Sequence, residues 1–207
     1  MFDVPERVQV RPAAGGEHER RTLDLSSPDR RLREPTVRYR MHDSPGSTVR
    51  PATLADIPLL VAARRHMFED LGEGGEWRSA GDALLAEWLN ARLGKGRASG
   101  FIAEDPDGWL GALSVAHEEV PPSRRNPTGR QSYLFGLWVR ASVRRRGVAR
   151  ALVTAAVEQS RALGEGAVTL YASDEGRGLY EQLGFEASPR MRLFLAPAQE
   201  AESAARD

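Results

Sequence analysis

The chain has 207 residues, of which 41% are hydrophobic, and 29 Lys and Arg residues balance 29 Asp and Glu residues at a net charge of zero. This length suits one domain with an extension, and zero net charge argues against a general nucleic-acid binder. The absence of cysteine excludes disulfides, thiolate metal sites and a cysteine-linked acyl intermediate. No apolar run reaches the roughly 18–20 residues that span a bilayer, and no signal peptide is evident, so we expect a cytoplasmic protein.

The two ends of the chain differ in composition from its middle. Residues 1–47 are rich in Arg, Glu, Asp, Pro and Gly and show no sustained hydrophobic period, which predicts a disordered N-terminal extension. A translation start at Met41 is an alternative, because regular patterning begins only at Thr48. Residues 196–207 form a polar C-terminal tail. We therefore expect the folded domain to cover residues 48–195.

The first part of this domain is predicted to form a strand and two helices. Residues 48–50 favour a short strand, and Thr53 with Asp56 three residues later is typical of a helix N-cap. Ser79 predicts the start of the second helix in the same way, and Gly94 predicts its end. Apolar residues recur at helical spacing in both segments: Leu59, Leu60, Ala63, Met67, Phe68 and Leu71 in the first, and Leu84, Leu85, Trp88, Leu89 and Leu93 in the second.

Three strands are predicted next. The runs at residues 99–104 and 109–117 are joined by the turn sequence Asp-Pro-Asp-Gly, and residues 118–130 form a long loop with three prolines. The strand that starts near Ser132 is mostly apolar on both faces, which favours a central strand covered on each side. Gly136 lies inside it, and such a glycine often indicates a bulge or the close approach of a ligand or another backbone.

A basic turn connects this strand to an amphipathic helix. The turn contains three arginines and Gly147, and the apolar face of the helix follows directly: Val148, Leu152, Val153, Ala156, Val157 and Leu163. The N–H groups of a first helical turn have no partner inside the helix and carry the positive end of its dipole. Together with the arginines, this strand–turn–helix unit predicts a binding site for a diphosphate. The alternative is a solvated helix start.

The chain then returns to the sheet. A strand is predicted at residues 167–171, a helix at residues 173–183 that ends at Gly184, and a last strand at residues 190–195. The predicted order of elements is β-α-α-β-β-β-α-β-α-β. This order places the basic turn after the fourth strand.

The basic turn also carries a family resemblance. Arg144-x-x-Gly147-x-Ala149, after a strand and at the start of a helix, resembles the R/Q-x-x-G-x-G/A loop that binds the acetyl-CoA pyrophosphate in GNAT (Gcn5-related) N-acetyltransferases. The element order resembles the same family over residues 48–195. The resemblance implies a single α/β (α+β) domain with a mixed central sheet and flanking helices. It also implies an N-acetyltransferase that uses acetyl-CoA as acyl donor and no metal.

A second segment of the chain supports this resemblance. Residues 173–185 are similar to the family's N/S-x-x-A-x-x-x-Y-x-x-x-G-F segment, in which the tyrosine, here Tyr180, is the general acid that protonates the leaving thiolate. A phenol suits that role chemically. Gly176 departs from the family by replacing alanine, and Gly178 weakens the helix by about 1 kcal/mol. From composition alone, Tyr180 would more simply be a core aromatic residue.

The resemblance implies a set of cofactor contacts along the strand, the turn and the last helix. The implied residues are Leu137, Trp138 and Val139 for the pantetheine arm, Arg144, Arg145, Arg146, Gly147, Val148, Ala149 and Arg150 for the pyrophosphate, and Ser173. A backbone N–H near the bulge could hold the oxyanion of the tetrahedral intermediate. Because the chain has no cysteine, we expect the acceptor amine to attack the thioester directly in a ternary complex.

The sequence leaves the general base and the acceptor open. The central strand carries no carboxylate, where the family often has a glutamate. Candidate bases elsewhere in the chain, for each of which an ordinary surface or structural role is the simpler interpretation, are Glu69, Asp70, Glu118, Glu119, His66 and His117. The loop at residues 118–130 is expected to border the acceptor. Protein N-termini, polyamines, aminoglycosides and amino-acid derivatives all remain possible acceptors.

Two other functions compete with amine acetylation. The missing strand carboxylate, Gly176 and Gly178 favour a CoA-binding regulatory or interaction module that has lost turnover, whereas Tyr180 argues against it. Nucleic-acid binding by the arginine clusters is disfavoured by zero net charge. The expected partner is therefore a small-molecule or peptide amine, without nucleic acid or membrane, and a homodimer remains open.

Overall fold

The strands of the sheet follow one another in sequence order. The computed structural model describes residues 39–40, 46–73 and 78–193. The described strands are β1 (Tyr39–Arg40), β2 (Thr48–Pro51), β3 (Ala98–Asp105), β4 (Gly108–Glu119), β5 (Arg130–Val139) and β6 (Ala167–Leu170). They form one sheet in the order β1-β2-β3-β4-β5-β6. Neighbours are antiparallel except β5 and β6, which are parallel.

Helices flank this sheet, and their apolar faces build two separate parts of the core. The described α-helices are α1 (Ile57–Asp70), α2 (Arg78–Leu93), α3 (Val148–Ala162) and α4 (Asp174–Gln182). Leu152 and Val153 of α3 belong to one buried cluster with Phe101. Leu60 of α1 and Leu89 of α2 belong to another. The predicted α/β fold, a mixed sheet with flanking helices, is confirmed.

The start of α1 follows the predicted capping pattern. The Asp56 carboxylate accepts hydrogen bonds from the backbone N–H and the hydroxyl of Thr53, both at 2.8 Å. It also accepts two hydrogen bonds from Arg50 of β2, each 2.8 Å long. The hydrogen bonding from Arg50 is the main reason that the pKa of Asp56 falls to about 2, despite the opposing effect of burial. A short 3-10 turn, Leu54–Asp56, leads into the helix.

The second helix and the N-terminal segment differ in detail from the prediction. Helix α2 already includes Arg78, so Ser79 lies inside its first turn and is not the N-cap. Strand β1 lies within the predicted extension and pairs with β2, Tyr39 opposite Val49. The other residues of that extension, apart from 46 and 47, lie outside the described residues, as does the predicted tail at residues 196–207.

The register of β5 contains the bulge that Gly136 predicted. Ala112 pairs with Trp138 and Ser114 pairs with Phe135, so β5 advances three residues while β4 advances two. Gly136 has a φ of 64°, in the left-handed region that glycine adopts without strain. The pairing with β6 extends only as far as Leu134. Beyond that residue, this edge of β5 has no strand partner in the described part of the chain.

Two predictions about the second half of the chain are not met. The described residues 190–193 form no strand, and residues 194–195 lie outside the described range. Met191 and Leu193 are 95% and 82% exposed; their alternation with arginine suggested a strand, but a strand also needs a neighbouring edge to pair with. The loop after β4 spans only residues 120–129. It packs at the start of β5, where Asn126 Nδ2 donates to the Arg130 carbonyl, and its expected place beside the acceptor stays a prediction.

None of the helices within the described ranges has the length and apolar character needed to cross a membrane.

Candidate active site

The edge of β5 beyond Leu134 presents main-chain groups next to α1 and the basic turn. Leu137 and Val139 pack toward the α3 cluster, whereas Trp138 packs against the α1 and α2 cluster. The indole Nε1 of Trp138 donates to Asp70 over 2.9 Å. The three predicted pantetheine contacts therefore lie on one strand edge with their side chains anchored on opposite sides. An exposed strand edge can pair with an extended ligand as an additional strand would.

The basic turn has the backbone shape of an anion site. Arg145 has a φ of 65° and Gly147 a φ of 78°, so two left-handed residues alternate with ordinary ones. This alternation turns successive amide N–H groups toward one side, as in a phosphate-binding nest. Helix α3 begins at Val148, and the N–H groups of its first turn have no partner inside the helix. The predicted turn–helix unit is thus present as one continuous structure.

The arginine side chains of the turn do not act alike. Arg144 Nε donates to the Val139 carbonyl over 2.9 Å, and its guanidinium also binds Asp70 of α1. Arg150 binds Gln182 of α4. Arg145 and Arg146 have exposed side chains. Arg144 therefore fastens the turn to α1, and Arg150 fastens the first turn of α3 to α4. The carbonyl of Val139, one of the predicted pantetheine contacts, already accepts a hydrogen bond from Arg144.

Helix α4 carries Tyr180, whose ring packs against the α3 cluster. Ser173 caps the helix by accepting a hydrogen bond from the Gly176 N–H at 3.2 Å. The ring of Tyr180 is half-buried and packs edge-on against Phe185, with centroids 5.7 Å apart. Burial raises the pKa of the Tyr180 phenol above its ordinary value of 10. The phenol is therefore protonated at neutral pH, as a general acid must be.

Gly176 replaces the alanine of the family segment at a tight position. A Cβ at this position would lie 3.2 Å from the Ser173 hydroxyl and 3.3 Å from Cε2 of Tyr180. Both distances are shorter than an ordinary van der Waals contact. Glycine at this position thus leaves the helix cap and the tyrosine ring undisturbed.

The candidate bases already make polar contacts, and those of Asp70 are with two predicted donor-binding residues. Asp70 binds Trp138 and Arg144, His66 Nδ1 is 2.9 Å from a Glu69 oxygen, and Glu118 accepts from Gln131 at 2.8 Å. The described contacts bring none of these groups to Gly136. The described residues also contain no group of three or more His, Cys, Asp or Glu side chains that could hold a metal ion.

His117 belongs to a polar network at the far end of β5. Its Nδ1 is 2.8 Å from a Glu165 oxygen, and its Nε2 is 3.1 Å from the Ser99 hydroxyl. Glu165 also accepts from the buried Ser132. These residues come from four separate parts of the sequence, so local patterns gave no signal for the network.

An arginine and aromatic residues that the sequence analysis did not single out lie next to the bulge. Arg64 of α1 is placed over the Phe68 and Phe135 rings, with its guanidinium carbon 5.4 Å and 6.0 Å from their centroids. Phe135 stacks on Tyr133 at 5.8 Å. Tyr133 in turn packs edge-on against Tyr171, with the ring centroids also 5.8 Å apart. The only sequence signal was the four-residue spacing of Arg64 and Phe68 on a predicted helix.

Comparisons with known proteins assign the family. The model of the acetyltransferase (GNAT) family matches residues 62–185. A GCN5-related N-acetyltransferase from Ralstonia eutropha JMP134 is 27% identical, with a TM-score of 0.69, covering 73% of this chain and 100% of its own. A predicted acetyltransferase from Clostridium acetobutylicum, crystallised with acetyl-CoA, is 24% identical, with a TM-score of 0.65 and coverage of 72% and 96%.

A more distant structure has the same fold. The ribosomal-protein-alanine N-acetyltransferase from Brucella melitensis biovar Abortus 2308 is 17% identical, with a TM-score of 0.54, and the match covers 73% of this chain and 99% of that one. No curated protein sequence matches the chain. The family match nevertheless spans more than half of the 207 residues. The chain belongs to the GNAT family of acetyltransferases.

Proposed function

We propose that this protein transfers the acetyl group of acetyl-CoA to the amine of a small molecule or peptide by direct attack in a ternary complex. The observation that carries the proposal is a continuity: the edge of β5 that has no described strand partner leads, through a short 3-10 turn at Ala141–Val143, into the turn at Gly147 and the start of α3. One extended donor could therefore contact both a strand edge and an anion site.

The donor would bind along this continuous surface. The amides from Arg145 to Arg150 would hold the pyrophosphate, with the positive end of the α3 dipole behind them. The dipole contributes only about 0.3–1 kcal/mol for each charge, so the contacts of the pantetheine arm with Leu137, Trp138 and Val139 must supply much of the affinity. Ser173, at the start of α4, would meet the CoA from the opposite side.

The bulge would provide electrostatic stabilisation of the reaction. A backbone N–H at Gly136 or Leu137, displaced from the regular ladder, would donate to the thioester carbonyl as it becomes an oxyanion. The amine nitrogen forms a bond to the carbonyl carbon, and the bond from that carbon to sulfur breaks. The amine loses one proton to a base or to water, and the leaving sulfur gains one.

Tyr180 would supply the proton that the leaving thiolate needs. Its ring, on α4, packs against the same core cluster as Leu137, and burial keeps the pKa of its phenol above the ordinary value. The chain has no cysteine, so no acyl–cysteine intermediate competes with direct attack. The order of events is then binding of both substrates, attack, and departure of CoA.

Two measurements test the proposal separately. Titration calorimetry with acetyl-CoA should register binding, and release of free thiol should accompany incubation with at least one amine of a panel that contains amino acids, peptides, polyamines and aminoglycosides. Binding without thiol release from any amine would instead favour a CoA-binding module. Absence of binding would overturn the donor assignment.

A further inference from the structure

Arg64 is a half-buried guanidinium at the centre of the candidate active site. Its Cβ is 3.3 Å from the position that a Cβ on Gly136 would take, so the side chain starts directly over the bulge. Its described contacts are the Phe68 and Phe135 rings. Within the described ranges it makes no hydrogen bond or ion pair, whereas the neighbouring Arg65 pairs with Asp82 at 3.0 Å.

Charged side chains lie near Tyr133, the ring that stacks on Phe135. Arg192 lies over the Tyr171 ring, with its guanidinium carbon 4.0 Å from the centroid. The charges of Arg64, Arg192 and Glu118 all act on the phenol of Tyr133. Glu118 is held by Gln131 on the adjacent strand. An anionic ligand group beside Arg64 would therefore meet its guanidinium and one carboxylate, that of Glu118, which already has a partner.

Aromatic rings line the same face of the sheet. Tyr133 and Phe135 stack on each other, Tyr171 packs edge-on against Tyr133, and Trp88 of α2 packs edge-on against Phe135 at 5.8 Å. Tyr171 is 51% exposed, so part of this aromatic face is open to a ligand. Pockets that combine apolar walls with a few polar groups orient small ligands.

We propose that this face selects an acceptor amine that carries a carboxylate close to the amine, as amino acids and amino-acid derivatives with apolar side chains do. Arg64 binds the carboxylate, and the rings of Tyr133, Phe135 and Tyr171 pack against the side chain. A guanidinium presents paired N–H groups that match a carboxylate. Polyamines and aminoglycosides carry several positive charges, so Arg64 repels them. The inference rests on the proposed acetyl transfer and names its acceptor class.

The test compares acceptors that differ in one charge. Phenylalanine and phenylalaninamide share the amine and the ring, and only the first has a carboxylate. With acetyl-CoA saturating, we expect kcat/KM from thiol release to be roughly 10- to 100-fold higher for the acid, the range of a charge-assisted bidentate contact. Spermidine should react more slowly than either. A preference for the amide or for spermidine would overturn the inference.

Variants of α1 separate recognition from folding. Arg64→Gln should raise KM for phenylalanine and remove the preference for phenylalanine over phenylalaninamide. Arg64→Lys should keep part of this preference, because lysine retains the charge but lacks the paired N–H donors. Arg65→Gln is the matched control on the same helix and should leave the preference unchanged. An unchanged preference in Arg64→Gln, with a thermal unfolding curve like that of wild type, would contradict the role of Arg64.

Calorimetry distinguishes this inference from the proposed function. Arg64→Gln should bind acetyl-CoA like wild type, because Arg64 lies on the acceptor side. If wild type binds acetyl-CoA but phenylalanine neither reacts nor binds to the CoA complex, the acceptor class is wrong and the donor assignment stands. If acetyl-CoA itself does not bind to wild type, the proposed function is wrong, and the acceptor inference that rests on it is wrong as well.

Discussion

Arg64 of α1 lies directly against Gly136 of β5: the Cβ of the arginine would be 3.3 Å from a Cβ at the glycine, and its Cα 3.7 Å. The bulge therefore serves two purposes at one residue. It displaces the β5 backbone from the regular ladder, which could free an N–H for the thioester carbonyl. It also lets α1 approach the strand closely, so Arg64 is positioned against the same backbone.

Gly136→Ala should therefore damage catalysis. Alanine at a φ of 64° costs about 1–2 kcal/mol, and its methyl group would push Arg64 and the bulge apart by a few tenths of an ångström. We expect kcat to fall at least tenfold in a steady-state thiol-release assay, because oxyanion donors act only at correct distances. Gly164→Ala is the matched control, since Gly164 has a φ of 71° and open space around its Cβ position. Equal kcat values in the two variants would argue against a role for the bulge.

Gly147→Asp should abolish donor binding. The residue has a φ of 78° and stands where the pyrophosphate would approach, so a carboxylate there replaces attraction by repulsion. Titration calorimetry should show acetyl-CoA affinity at least 100-fold lower than in wild type. Gly147→Asn is the control, because asparagine has a similar shape, tolerates the left-handed region and is neutral. Similar affinities of the Asp variant and wild type would remove the turn from the donor site.

The local features of this site could be predicted from the sequence, and its long-range contacts could not. A glycine within an apolar strand indicated the bulge at Gly136, and a basic turn with a glycine before an amphipathic helix indicated the helix start after Gly147. Both depend on backbone conformation at a single residue. The contact of Arg64 with Gly136, and that of Arg144 with Asp70, join residues about seventy positions apart. They depend on how α1 packs on β5, which no local pattern encodes.

The failed prediction of a strand at residues 190–195 has a related cause. Alternation of arginine with Met191 and Leu193 satisfies the period of a strand. Pairing, however, requires a neighbouring edge, and β6 ends at Leu170. The side chains of Met191 and Leu193 are almost fully exposed. Alternation of apolar and polar residues shows which face of a strand could be buried. It does not show whether a neighbouring strand is available to pair with it.

Tyr180→Phe should lower kcat more than it changes KM. The substitution keeps the edge-on packing with Phe185 and removes only the proton donor, so kcat should fall within the roughly 10²–10⁴-fold range of general acid–base catalysis. The pH profile gives a second readout. Burial raises the pKa of the phenol, so wild-type kcat should decline only above pH 10, and the variant should lack that decline. Unchanged kcat in Tyr180→Phe would exclude the tyrosine as the acid.

Glu165 should make the fold sensitive to acid. Its side chain is 1% exposed and accepts hydrogen bonds from His117 and Ser132. Burial alone would raise the pKa of this carboxyl, but the hydrogen bonds from His117 and Ser132 outweigh it and the pKa is lowered below 4.5. A carboxyl whose pKa is lower in the folded state stabilises the fold above its unfolded pKa. That stability is lost as the pH falls from about 4.5 through the folded-state pKa.

Glu165→Gln tests this assignment through unfolding in urea. At pH 7 the variant should be less stable by about 1–3 kcal/mol, because the network loses a charged acceptor. Between pH 5 and pH 3, wild type should lose more stability than the variant, since only wild type must protonate this carboxylate. Glu158→Gln, on the preceding helix α3, is the control, because Glu158 is exposed and its loss should leave the pH dependence as in wild type. Parallel stability curves for wild type and Glu165→Gln would show that the network does not depend on the charge of Glu165.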